Sequence, residues 1–136
     1  MTFTEAKADF DSRFGNSKEF ICFLPEHLTL NKNTSFRKKD GSRNEQYFKW
    51  QFLYSIINSG LFPKDYIGTE IHFPKGNKSS ADIRIDAAVF SEAIWFEKYK
   101  DYHHNNNSES LEWLRKHLIV ALEFKKQYLS NVCWII

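Results

Sequence analysis

Apolar residues recur along this chain with two different periods, and the changes of period mark its elements. Ala6, Phe10 and Phe14 stand four apart, which predicts a short amphipathic helix over Thr4–Phe14. Phe20–Leu24 is apolar and fits either a short strand or core-covering chain. Phe48, Trp50, Phe52, Leu53, Ile56 and Ile57 follow helical spacing. Ser42 and Glu45 before them match a capping box, and Gly60 after them fits a C-terminal cap. A helix from about Arg43 to Ser59 is therefore expected, with Phe48, Phe52, Leu53 and Ile56 buried.

The period then drops to two. Tyr66–Phe73 reads as a strand, 74–78 as a turn and Ala81–Phe90 as a second strand. In that second strand Ile83, Ile85, Ala87 and Val89 alternate with Asp82, Arg84, Asp86 and Ala88, so two carboxylates share one face. Ser91–Tyr102 looks helical, and Ser110–Lys116 predicts a further short helix. His117–Lys125 is apolar on both faces until Glu123, as a central, doubly covered strand would be. Asn31–Arg43 and His103–Ser110 are polar and are expected to be exposed, mobile loops.

At 136 residues, 42% hydrophobic and 26% charged, the chain suits one globular domain and excludes wholesale disorder. No apolar run approaches the roughly 18–20 residues a bilayer span requires. The N-terminus has no basic start followed by an apolar stretch, so no secretory signal is read there. Cys22 and Cys133 lack metal-ligand spacing and read as reduced cytoplasmic thiols. A net charge of +2 leans only weakly towards nucleic acid.

The chemistry concentrates in the strands. An acid on one strand followed by Glu123-x-Lys125 at the end of a buried neighbour is a metal-site pattern. Carboxylates there suit Mg²⁺, and the lysine suits water activation or phosphate charge, the parts of a phosphodiester hydrolysis. Asp82 competes with Asp86 for the ligand role. Glu45 could add a further carboxylate, or serve only as a capping acid. Asp86 could instead pair with Arg84 or Lys125, and Glu123 with Lys125 as a surface ion pair. His103-His104 reads as part of a solvated loop, and Arg37-Lys38-Lys39 with Arg43 as a solvated face able to touch DNA phosphates.

Glu45, Arg84-Ile85-Asp86-Ala87-Ala88-Val89-Phe90 and Val120-Ala121-Leu122-Glu123-Phe124-Lys125 together resemble the PD-(D/E)xK nuclease superfamily. The run from about Asn44 to Lys126 is similar to the N-terminal nuclease-like domain of type I restriction endonuclease R subunits and related N-6 DNA methylase polypeptides. The resemblance implies an α/β fold with a restriction-endonuclease-like αβββαβ core. That core would carry a helical insertion before the Glu-x-Lys strand and be incomplete at its C-terminus. It implies an N-terminal extension over residues 1–40 and the nuclease-like domain over 41–136. It implies Asp86 and Glu123 as Mg²⁺ ligands, Lys125 as catalytic lysine and Glu45 as helix-borne acid. The expected partners are double-stranded DNA and restriction-modification subunits, with no membrane. The expected function is a cytoplasmic, Mg²⁺-dependent DNA endonuclease domain, a fragment with weak or no activity alone. The alternative is a non-catalytic DNA-binding or complex-docking remnant.

Overall fold

Thr2 begins the first helix by accepting the Glu5 N–H at 3.1 Å. The computed structural model describes residues 1–73 and 83–124, and the backbone of 132–135. They form two compact units, one built on Met1–Lys64 together with Phe124, the other on Asp65–Glu123. The boundary expected near residue 40 falls inside the first unit, because the helix that follows it packs with the first helix.

In the first unit α1 spans Phe3–Arg13 and buries Ala6 and Phe10. Phe20 and Ile21, the start of the segment left open between strand and covering chain, end a short helix, α2 (Ser17–Ile21). Its start is stitched reciprocally. Asn16 accepts from the Glu19 N–H at 3.1 Å, and the Glu19 carboxylate accepts from the Gly15 N–H at 3.1 Å. Helix α3 runs Glu45–Asn58. Its cap is Asn44, which accepts from the Tyr47 N–H at 3.0 Å, not the expected Ser42. Ser42 is diverted because both its N–H and its hydroxyl donate to Asp40, at 2.9 and 2.6 Å. Gly60, at φ +75°, closes the helix by donating to Ile57. Leu53 and Ile56 are buried as expected, whereas Phe48 and Phe52 are only half-buried.

The core of this unit is aromatic. The Phe10 ring has Phe14, Phe20, Phe36, Tyr47 and Tyr54 within 5.3–6.1 Å, in tilted or edge-to-face contacts. Polar lacing joins α1 to α3. Asp11 accepts from the Tyr47 hydroxyl and from Gln51 at 2.6 Å, and Asp9 accepts from the Tyr54 hydroxyl. Burial, reinforced by the Asp11 hydrogen bond, pushes the Tyr47 phenol up to about 12. The Tyr54 hydrogen bond, with Arg13 beside it, holds Asp9 below the usual carboxylate range.

The second unit carries an antiparallel meander. A 3₁₀ turn at Lys64–Tyr66 leads into β1 (Ile67–Phe73), which pairs with β2 (Ile83–Phe90), which pairs with β3 (Leu118–Phe124). The sheet order is β1-β2-β3-β4, with β4 at Val132–Ile135. Helices α4 (Trp95–Asn105) and α5 (Ser108–His117) connect β2 to β3. The fold is thus mixed α/β.

Three expectations need correction here. The strict two-face alternation of β2 fails. Ala87, Ala88, Val89 and Phe90 are all fully buried, while Ile83 is 45% exposed. Ala88, expected on the polar face, joins Phe90, Trp95 and Leu114 in the core beneath α4 and α5. On β3 the double covering is confined to Val120–Leu122, since Ile119 is 40% exposed and Glu123 is exposed. The polar 103–110 stretch is not a loop. His103 and His104 lie in α4, only Asn106 and Asn107 interrupt, and α5 begins at Ser108. Asp101 makes so short a connection possible by accepting from Asn105, Asn107 and Ser110 at 2.6–2.7 Å, while Asn106 takes the left-handed conformation at φ +55°. The turn expected at 74–78 lies outside the described residues.

Candidate metal and catalytic residues

The β2–β3 ladder brings two of the predicted acids together. Ala87 pairs with Leu122, Ala88 with Ala121 and Val89 with Val120. Beyond the Ala87–Leu122 pair, the next residue on each strand is one of the predicted acids, Asp86 on β2 and Glu123 on β3. Both acids stand where the ladder leaves the core. Ala87 and Leu122 are fully buried, Asp86 is half-buried and Glu123 is exposed. Carboxylates at such a boundary keep access to water while apolar strand residues fix the backbone beneath them. The pair offers hard oxygen donors on two adjoining strands, a donor set that fits Mg²⁺ with water completing its shell.

A third acid, Glu70, lies on the neighbouring strand β1, and sequence reasoning passed over it. β1 pairs with β2 through Thr69–Ala87 and Ile71–Ile85, with Glu70 and Asp86 standing between those pairs. The Glu70 backbone takes φ +54°, which breaks the local ladder. The signal was an exposed acid between buried Thr69 and Ile71, and it was hidden because Tyr66–Phe73 reads simply as a strand. Among the described residues no group of three His, Cys, Asp or Glu side chains is placed to hold a metal ion.

Glu45 is the first residue of α3, in the turn where the helix dipole favours an acid. It belongs to the first unit, and Asp86 and Glu123 to the second. Lys125 and Asp82 lie outside the described residues. His103 is packed against the rings of Tyr99 and Tyr102, with centroids 4.3 and 4.8 Å away. Cys22 is an exposed free thiol. A cavity of about 260 Å³ in the first unit, lined by Phe20, Trp50, Leu53 and Lys64 among others, contains none of the predicted site residues. No helix among the described residues is long and apolar enough to cross a membrane.

Comparison with protein-family models, curated proteins and solved structures gives no match.

Proposed function

We propose that this chain is the Mg²⁺-dependent DNA endonuclease domain of a cytoplasmic, type I-like restriction-modification system, built on a restriction-endonuclease-like core. The observation that carries the reading is the β2–β3 register at Ala87 and Leu122, each one residue from an acid. The order helix, antiparallel strands, helical insertion, strand agrees with it.

In this reading Asp86 and Glu123 hold the ion through their carboxylates, and Glu45 is a helix-borne acid. Bound Mg²⁺ supplies positive charge for the phosphate oxygens and acidifies a water. Lys125, two residues beyond Glu123, would orient an attacking water or offset charge on the phosphate.

The test is an assay of the purified chain on supercoiled plasmid with Mg²⁺ or Mn²⁺. Slow nicking, lost in Lys125→Ala and in Glu123→Gln, is the expected result. Metal-dependent cleavage unchanged in both variants would overturn the site. No cleavage above background, with plasmid still bound, would favour the non-catalytic DNA-binding or docking role.

A further inference from the structure

The polar stretch before α3 is folded rather than loose. Arg37 and Arg43 form an antiparallel bridge, and the Lys38 N–H donates to Ser42 at 2.8 Å. Gly41 turns the chain at φ +87° and donates to Lys38 at 3.0 Å, and the Arg37 guanidinium donates to the Gly41 carbonyl at 3.0 Å. The base is fixed as firmly. Asn44, the α3 cap, donates its side-chain amide to Ser35 at 2.6 Å and its N–H to Phe36 at 3.1 Å. Phe36 is 1% exposed, with Tyr47, Phe10 and Phe20 within 6.3 Å of its ring. The result is a small, preformed hairpin pinned to the aromatic core by one side chain.

Charge is concentrated on this hairpin. Residues 31–44 hold five cations (Lys32, Arg37, Lys38, Lys39, Arg43) against one carboxylate, Asp40. That leaves +4 locally and therefore −2 over the rest of a chain whose total is +2. Arg37, Lys38, Lys39 and Arg43 are all exposed. Their roles divide. The guanidinium groups of Arg37 and Arg43 lie 5.6 and 4.6 Å from the Tyr47 ring, and Arg43 also meets Asp11 at 3.7 Å. Those contacts stiffen the two stems. Lys38 and Lys39 stand exposed at the tip, where the hydrogen bonds from Ser42, and after them the Lys38 charge, hold the Asp40 carboxyl below its usual range. A fold that needed the segment only as a connection between α2 and α3 gains nothing from crowding like charges there, because like charges repel.

We infer that the hairpin at residues 35–44 grips the phosphate backbone of duplex DNA. The inference deepens the nuclease reading, and rests on it for choosing duplex DNA among polyanions. A polyphosphate is the partner for which a rigid, cation-dense turn is suited. Each neutralised phosphate releases counterions, and a preformed hairpin loses little conformational freedom on docking. With no apolar side chain at the tip to wedge between bases, the contact is to backbone, and it is sequence-independent.

The experiment is fluorescence anisotropy with a labelled 20-base-pair duplex in EDTA across a salt series. Wild type is compared with Lys38→Gln/Lys39→Gln and Lys38→Glu/Lys39→Glu, each checked for fold by circular dichroism. The expected result is a roughly tenfold or greater loss of affinity in the hairpin variants, larger for the Glu pair. The slope of log K against log[salt] should shrink by about 1.8 for two lost phosphate contacts. Hairpin variants that bind like wild type, a wild-type chain that does not bind the duplex, or tighter retention on phosphatidylserine vesicles than on DNA would each overturn the inference. Hairpin-dependent binding without cleavage would sink the nuclease reading and leave this one standing. Cleavage with unchanged affinity in the hairpin variants would do the reverse.

Discussion

Replacing Gly68 with Ala should destabilise the second unit, although Ala is the better strand residue in most contexts. Gly68 is buried in β1 opposite Ala88. A methyl built on it would lie 2.5 Å from Cη2 and 3.0 Å from Cζ2 of Trp95, and 2.9 Å from Cδ1 of Ile71. Ile71 can turn its terminal methyl aside. Trp95 cannot, because its indole N–H donates to Asp65 at 2.7 Å and its ring stacks on Phe90 at 4.9 Å, 10° from parallel. Overpacking of this kind costs about 1–3 kcal/mol. The restricted unfolded chain returns only about 0.4–1 kcal/mol. The net loss should be on the order of 1–2 kcal/mol, read as a lower urea midpoint by circular dichroism with an unchanged m-value. Trp95→Phe removes the two clashing ring carbons, so the double variant should cost less than the sum of the singles by at least about 0.5 kcal/mol. A Gly68→Ala chain as stable as wild type, or strict additivity, would refute the argument.

Leu53→Ala removes a side chain 1% exposed in α3 and should cost about 2–5 kcal/mol in urea unfolding; a cost under 1 kcal/mol would place Leu53 outside the core. The Tyr47 phenol, pushed up to about 12, should ionise later than an ordinary tyrosine when absorbance at 295 nm is followed, and Asp11→Asn should bring it down. Its folded value lies above its unfolded value, so the stability it adds is complete below about pH 10 and is lost as pH rises towards 12. Asn107→Ala deletes the acceptor for the Glu109 and Ser110 N–H groups and the donor to Asp101, and should cost about 1 kcal/mol. Hydrogen exchange should quicken across the start of α5 in that variant.

The elements with strong local signals were legible in the sequence. α1 and α3, β1 and β2, and β3 with its buried centre follow from apolar spacing, and Gly60 and Asn58-Ser59 mark the end of α3. What escaped depended on side chains answering one another. Ser42 looks like a cap until Asp40 takes its hydroxyl, and Asn44 inherits the role. HHNNNSES reads as a loop by composition, yet Asp101, outside that stretch, gathers Asn105, Asn107 and Ser110 into a two-residue joint. The alternation expected of β2 was blind to α4 and α5, which bury Ala88 and bring Ile85 against the same cluster. For the candidate site, the adjacency of the strands bearing Asp86 and Glu123 was expected. The register of those strands, and the break in β1 at Glu70, could not be read, because register depends on pairing rather than local pattern.

The most direct test of the account is paramagnetic line broadening on addition of Mn²⁺ to the isotope-labelled chain. Mn²⁺ takes the same hard oxygen ligands as Mg²⁺ and broadens nearby amide signals. The account predicts that the signals of Asp86, Ala87, Leu122 and Glu123 broaden together and first, that excess Mg²⁺ restores them, and that Asp86→Asn and Glu123→Gln each abolish the effect. Broadening centred elsewhere, or unchanged in both variants, would contradict the claim that these two strand acids hold the metal.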